Sequence, residues 1–243
     1  IFVALVVVAL VAMRPEWQPG GKPSEPGSGP ILNDPLARRL LVIALLNAIP
    51  VAVTSTLFLF FVESRLEAPG WEGPLLLLFF LAAAFSAPLW SRVAQSYGAK
   101  TTLMFGRGLA IIAFAGASVL TAGDVLPFVV ICLFSGMALG ADMTLLPALF
   151  ATRSAEITDE AAEGFGLWSF VSKFSLAVAA LILLPLLDAA GFQAGQPIQP
   201  EQALATLTFF YAVLPCGLKL AALLLLALTP LDAEETALTK GTH

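Results

Sequence analysis

Charged residues are scarce in this sequence of 243 residues, and their scarcity limits the classes of protein to which it can belong. Asp, Glu, Lys and Arg make up 12% of the chain, whereas hydrophobic residues make up 58%. A water-soluble domain carries about 25% charged residues, because its surface must be hydrated. The composition therefore excludes an ordinary soluble domain and indicates that much of the outer surface faces lipid.

Histidine and cysteine are also nearly absent, which argues against metal sites and a disulfide framework. The chain has one histidine, His243, and two cysteines, Cys132 and Cys216, both in apolar segments. They define neither a disulfide framework nor a metal site, so we expect no metal, and we expect both cysteines to be core residues. The net charge of −5, without a basic stripe, argues against a nucleic-acid partner.

Long apolar runs are what the sequence does contain. A membrane-spanning helix needs about 20 mostly apolar residues, and six runs meet that length: 40–62, 73–91, 101–121, 125–151, 164–187 and 203–229. They are too long and too rich in Leu and Ala for the strands of a membrane barrel, which need about 9–11 alternating residues. The sequence therefore predicts an all-α polytopic membrane protein.

The N-terminal part of the chain differs from the rest. Residues 1–13 are wholly apolar and are expected to be the end of a transmembrane helix whose start lies upstream. Residues 14–36 are rich in Pro, Gly and Ser, which predicts a flexible linker. A six-helix bundle at 37–231 and a tail at 232–243 would follow. This order is the one expected at the midpoint of a transporter built from two six-helix bundles.

Basic residues are unevenly distributed between the two predicted sides of the membrane. Six spans place both ends of the bundle on one side, and the excess of Lys and Arg predicts that this side is cytoplasmic. The opposite loops hold only Arg65. The predicted cytoplasmic side holds Arg14, Lys22, Arg38, Arg39, Arg92, Lys100, Arg107, Arg153 and Lys240.

Lys173 is the strongest candidate for a functional residue, because it lies well inside the fifth predicted span. A charge at the bilayer centre costs about 2.5–3.5 kcal/mol, so such residues usually face a cavity or a partner. Ser169 lies one turn before Lys173, with Trp168 beside it. Together they suit a hydroxyl-rich ligand, which the aromatic ring would stack on and the polar groups would hydrogen-bond. The alternative is a lysine that extends to the interface or forms a structural ion pair.

Asp142 and Asn47 are the other candidate substrate-binding residues. Asp142 lies deep in the fourth span, where it could pair with Lys173, contribute to a cation or substrate site, or cap a broken helix. Asn47 belongs to a partly polar stretch around Pro50 in the first complete span. Lys219 is expected to extend towards the interface, and Arg107 to be an interfacial anchor near the start of its span.

Three segments resemble the glycoside–pentoside–hexuronide:cation symporters, the melibiose-carrier branch of the major facilitator superfamily. Gly164–Phe192, GFGLWSFVSKFSLAVAALILLPLLDAAGF, resembles the eleventh helix of that family, and Gly136–Ile157 resembles its tenth helix. Pro88–Leu103 is similar to a degenerate form of the cytoplasmic loop of the superfamily that has the pattern Asp-Arg-x-Gly-Arg. Thr152 and Ala162 depart from the family, which has an Asp and a basic residue there.

The resemblance implies the fold, the site and the mechanism. The fold would be the C-terminal six-helix bundle of a major facilitator, plus the end of a preceding helix. Lys173 would be the eleventh-helix lysine near the sugar and cation sites, with Ser169 at a sugar-contacting position and Asp142 close to a residue that borders the sugar. The carboxylates that bind the coupling cation, Na⁺ or H⁺, lie in the N-terminal six-helix half of that family.

The expected function is cation-coupled symport of a small polar solute, such as a sugar or glycoside, across a bacterial plasma or inner membrane. One alternative is a major facilitator that carries a drug, peptide or lysolipid. Another is a non-transporting membrane sensor. An enzyme is not expected, because neither a nucleophile–base pair nor a metal cluster is visible at membrane depth. No cofactor is expected apart from the coupling cation.

Overall fold

The structure, a computed structural model, describes residues 29–157, 161–196 and 198–230. Within these ranges the secondary structure is helical and contains no strand. The predicted helix end at 1–13, most of the predicted linker at 14–36 and the predicted tail at 232–243 lie outside the described residues. The all-α membrane bundle predicted from the apolar runs is confirmed.

Eight α-helices follow one another along the described chain, and two of them run on into π-helical turns. The π-helical turns are Phe61–Arg65, after α2, and Phe209–Val213, which joins α7 and α8 into one helical segment, Glu201–Ala227. The helices are α1 (Gly29–Asn33), α2 (Pro35–Phe60), α3 (Glu72–Tyr97), α4 (Ala99–Ala117), α5 (Val125–Ile157), α6 (Ala161–Ala189), α7 (Glu201–Thr208) and α8 (Leu214–Ala227).

Five helical segments are long and apolar enough to cross a membrane: Pro35–Arg65, Glu72–Tyr97, Val125–Ile157, Gly164–Ala189 and Glu201–Ala227. Six spans were predicted. The remaining one corresponds to α4, whose 19 residues extend about 28 Å at 1.5 Å per residue. That length suits a hydrocarbon core of about 30 Å, but Lys100 and Arg107 lower the hydropathy of α4.

The start of α2 lies within the segment predicted to be a linker. Pro35 is its first residue, and Asp34 caps it by accepting a hydrogen bond from the backbone N–H of Ala37 at 2.7 Å. Proline suits this position because a first-turn N–H has no partner within the helix. The short helix α1 precedes the cap, so the linker boundary predicted at residue 36 is displaced towards the N-terminus.

Asp34 also fastens the start of α2 to the end of α5. Its carboxylate accepts hydrogen bonds from Arg153, at 2.7 Å from Nη2 to Oδ2 and 3.2 Å from Nε to Oδ1. Arg153 in turn donates to Glu156 at 2.8 Å. The hydrogen bond from Arg153 lowers the pKa of Asp34 below its usual value, and the Ala37 N–H adds to the effect. Bidentate pairing of this kind fixes geometry as well as charge.

Helix α5 is the centre of the packing. It packs mainly against α3 and α4, while α2 packs against α6 and α8. The contact with α3 depends on two glycines, because a Cβ on Gly136 would overlap the carbonyl oxygen of Phe79, and one on Gly140 would lie 2.6 Å from that of Ala83. Trp90 of α3 donates its indole N–H to the carbonyl of Met137 at 2.7 Å. Small residues at such positions let membrane helices approach closely.

The two π-helical turns meet at one end of the bundle. Phe61, in the first, stacks on Tyr211, in the second, with ring centroids 4.1 Å apart. Phe128 of α5 packs against both rings, and the backbone N–H of Gly123 donates to the carbonyl of Leu66 at 2.9 Å. Aromatic packing and loop contacts therefore close the end of the bundle opposite the Asp34–Arg153 pair.

Candidate functional site

A buried charge cluster is the main polar feature of the described bundle. We define it by Arg107 of α4, Asp142 of α5, Lys219 of α8 and Asn47 of α2. Their exposed fractions are 0%, 4%, 4% and 7%. Arg107 is the ninth of 19 residues in α4, and Asp142 is the eighteenth of 33 in α5, so both lie at mid-helix depth.

Asp142 is the carboxylate on which the cluster converges. Its Oδ2 accepts a hydrogen bond from Lys219 Nζ at 3.0 Å, and its Oδ1 accepts one from Arg107 Nε at 3.3 Å. Lys219 also donates to Asn47 Oδ1 at 3.0 Å, and Arg107 Nη1 donates to the carbonyl oxygen of Ala222 at 2.9 Å. Ionised groups in a medium of low dielectric require such partners, since isolated charges there are expensive.

Two neighbouring cavities adjoin this cluster. The first has a volume of about 220 Å³, and its lining includes Thr54, Phe80, Phe114 and Lys219. The second has a volume of about 440 Å³, and its lining includes Asn47, Asp142, Trp168 and Ser172. Val51, Ser55 and Leu139 line both cavities. The first cavity lies nearer the π-helical turns and the second nearer the Asp34–Arg153 pair.

Three of the five predicted site residues meet at the second cavity. Asn47 and Asp142 line one wall, and Trp168 of α6 lines another. Trp168 is half-buried and packs against Phe150 with ring centroids 5.5 Å apart. The second cavity therefore combines a carboxylate, an amide and an aromatic ring on a mostly apolar wall.

The other two predicted site residues lie elsewhere. Ser169 and Lys173 lie on the exposed side of α6 and line neither of these two cavities. The pairing of Asp142 with Lys173 that the sequence left open does not occur, because Lys219 and Arg107 take both oxygens of Asp142. Among the described residues, no ion-pair partner of Lys173 is seen.

Arg107 and Lys219 were not predicted to belong to the site. The expectation for Arg107 was wrong because α4 begins at Ala99 and ends at Ala117, which places residue 107 in its middle rather than near an interface. The expectation for Lys219 was wrong because its ammonium bonds inward to Asp142 and Asn47. A signal was present in the sequence, since a mid-membrane aspartate needs a cation at a matching depth.

The two cysteines pack as the sequence predicts. Cys132 is buried, and Cys216 is half-buried with its thiol directed at the carbonyl oxygen of Ile111. Within the described ranges, no group of three or more His, Cys, Asp or Glu residues is arranged to hold a metal ion. The charged groups described at membrane depth are those of the charge cluster and Lys173 of α6.

Comparison with known proteins places the chain in a family. A family described as "MFS/sugar transport protein" matches residues 1–233. The chain is 29% identical over 168 residues to Sodium-dependent lysophosphatidylcholine symporter 1 of Xenopus tropicalis, and equally to that of Gallus gallus. Each alignment covers 66% of this chain and 32% of the relative, so the chain spans about a third of the length of the curated relatives it matches. The family match confirms the resemblance to the major facilitator superfamily, and the chain belongs to its MFS/sugar transport protein family.

Proposed function

We propose that this protein contributes the C-terminal half of a cation-coupled secondary transporter, and that its substrate is a lysophospholipid. The observation that carries the proposal is the buried charge cluster at mid-helix depth, whose residues line two neighbouring cavities. Substrate sites of such transporters lie near the bilayer midplane, at the interface of the two halves. The apolar walls of both cavities suit an acyl chain better than a fully polar solute.

The names of the relatives support the choice of substrate class. Two relatives are called sodium-dependent lysophosphatidylcholine symporters, and their similarity to this chain extends over 168 residues. On this basis the lysolipid alternative is favoured over the sugar that the sequence first suggested. Sodium is the corresponding coupling ion, and we expect its ligands in the N-terminal half.

A glycoside is the second candidate substrate. The family description names sugar transport, and Trp168, Asn47 and Ser172 line the second cavity. An aromatic face beside an amide and a hydroxyl is a suitable surface for a sugar ring. A lysolipid would mainly contact the apolar walls of the cavities, whereas a glycoside would mainly contact their polar and aromatic groups.

In this proposal, Lys173 and Ser169 act at the interface with the other half of the transporter. Both are exposed on α6 in the described bundle, at a face that an N-terminal six-helix half would cover. Across that interface they would contact substrate or the coupling-ion site. Transport would follow from rocking of the two halves, driven by a cation that binds the two states with different affinity.

Uptake into proteoliposomes tests the proposal. The complete natural protein is reconstituted, and uptake of oleoyl lysophosphatidylcholine and of melibiose is measured under an inward Na⁺ gradient and under a matched K⁺ gradient. We expect Na⁺-dependent uptake of the lysolipid and little uptake of the sugar. Na⁺-dependent uptake of melibiose alone would replace the lysolipid with a glycoside. If neither gradient drives uptake of either compound, these substrate assignments fail.

A further inference from the structure

The buried charge cluster carries more positive than negative charge. Arg107 and Lys219 are both cations, whereas Asp142 is its one carboxylate among the described residues. Each of the three side chains is more than nine-tenths buried. A net positive charge at membrane depth is costly unless an anion accompanies it.

The hydrogen bonds of the cluster leave this surplus charge without a full set of acceptors. Asp142 uses one oxygen for Arg107 and the other for Lys219. Arg107 Nη2 is buried and has no hydrogen-bond partner among the described residues. A buried donor without an acceptor has given up its hydrogen bond to water without compensation, so such a group calls for an explanation.

Lys219 connects the surplus charge to the first cavity. It lines this cavity together with the side chains of Thr54, Ser55 and Ser135. An ammonium has three N–H donors, and the structure assigns two of them, to Asn47 and Asp142. One donor of Lys219 therefore remains for an acceptor that enters the cavity.

The remainder of the first cavity is apolar and aromatic. Phe58, Phe79, Phe80 and Phe114 form much of its wall. A ligand that fills it would place hydrocarbon against these rings and an oxyanion near Lys219. Removal of hydrocarbon from water favours binding, and an ionised acceptor strengthens a hydrogen bond.

We propose that Lys219 binds the oxyanion of an amphiphilic substrate, such as a phosphate ester or a carboxylate, while the apolar chain lies along the phenylalanines of the first cavity. This assignment rests on the proposed function and adds a charge requirement to it. Arg107 is a positioning residue, because it hydrogen-bonds to Asp142 and pairs with its negative charge but does not line the first cavity. The oxyanion would balance the charge that Asp142 leaves uncompensated.

Three probes with the same oleoyl chain separate charge from hydrocarbon. Oleoyl lysophosphatidylcholine carries a phosphate, oleate carries a carboxylate, and monooleoylglycerol carries neither. Their dissociation constants are measured for the complete natural protein in detergent and for its Lys219→Gln variant. Since Lys219→Gln leaves Arg107 and Asp142 as a neutral pair, we expect the variant to fold. Arg92→Gln, which removes a cation from the exposed end of α3, is the matched control.

We expect Lys219→Gln to weaken binding of at least one of the two probes that carry an oxyanion by about tenfold or more, which corresponds to about 1.4 kcal/mol, and to leave binding of monooleoylglycerol unchanged. The oxyanion-bearing probe whose binding is weakened, the phosphate ester or the carboxylate, identifies the source of the oxyanion. Arg92→Gln should change none of the constants. The role of Lys219 would be overturned if the variant bound each probe as tightly as the unaltered protein does, or if its affinity for all three probes fell equally. Either result would leave a lipid substrate intact. If the unaltered protein binds no probe, both this role and the proposed lipid substrate fail.

Discussion

Helices α5 and α6 are alike in length and apolar composition but have very different surroundings. Both are long and apolar, with 33 and 29 residues, and each carries an intramembrane charge, Asp142 in α5 and Lys173 in α6. Half of the most apolar stretch of α5 is buried, whereas only 22% of that of α6 is. Asp142 accordingly has two cationic partners, whereas Lys173 is exposed.

The difference shows that a charge within an apolar helix does not by itself indicate its role. The charge of α5 is held inside the bundle by hydrogen bonds, so its removal alone should destabilise the fold. The charge of α6 is available to whatever covers that face, and its removal should leave the bundle intact. Stability measurements and transport measurements should therefore separate the two helices.

The largest effect is expected from Asp142→Asn. This change leaves Arg107 and Lys219 as two buried cations without a carboxylate, and loss of one partner of a buried pair costs about 3–5 kcal/mol. Thermal unfolding of the detergent-solubilised complete protein measures the loss. Lys219→Gln is the control, because it leaves one cation for one carboxylate and should cost clearly less. Equal losses in the two variants would show that charge balance does not govern this cluster.

A smaller effect is expected from Gly136→Ala in α5. The added methyl group would overlap the backbone of α3 at Phe79, and overpacking of this kind costs about 1–3 kcal/mol. Gly108→Ala is the matched control, since a Cβ placed there would meet no atom within 4 Å beyond its chain neighbours and the backbone of its own helix. The same unfolding assay should show a lower midpoint for Gly136→Ala than for Gly108→Ala. A Gly136→Ala protein as stable as the control would mean that α3 and α5 can separate without cost.

The smallest effect on stability is expected from Lys173→Ala in α6. Substitutions at exposed positions usually change stability by less than about 0.5 kcal/mol. We expect normal insertion and an unchanged unfolding midpoint, but loss of Na⁺-dependent uptake in the proteoliposome assay. Retained uptake would remove Lys173 from the site. A clear drop in the unfolding midpoint would instead show that the residue supports the fold, and the contrast between α5 and α6 would disappear.

The sequence was sufficient to predict the helices, because a run of about 20 apolar residues has few alternatives to a membrane span. Their ends were less predictable. An Asp followed by Pro is a common N-cap and first residue of a helix, as Asp34 and Pro35 are here. The Pro- and Gly-rich residues before Asp34 nevertheless obscured this helix start in the sequence. Helix α4 begins two residues and ends four residues earlier than predicted, and these shifts misplaced Arg107, whose role depends on its depth.

The site was only partly predictable. Asn47, Asp142 and Trp168 stand out in sequence because polar or amphipathic groups in apolar helices are costly or specialised. Lys219 also stood out, but its long side chain permits either an interfacial or an inward conformation. The choice between them depends on Asp142 and Asn47, which are 77 and 172 residues away in the chain. Packing between distant helices decides such cases.

The π-helical turn at Phe209–Val213 has a consequence for the direction of every side chain that follows it. A π-helical turn accommodates one residue more than the α-helical path around it, and one residue corresponds to about 100° of rotation about the helix axis. Lys219 lies after this turn, in α8. A single-residue deletion within 209–213 would therefore swing the ammonium away from its carboxylate without altering any residue of the charge cluster.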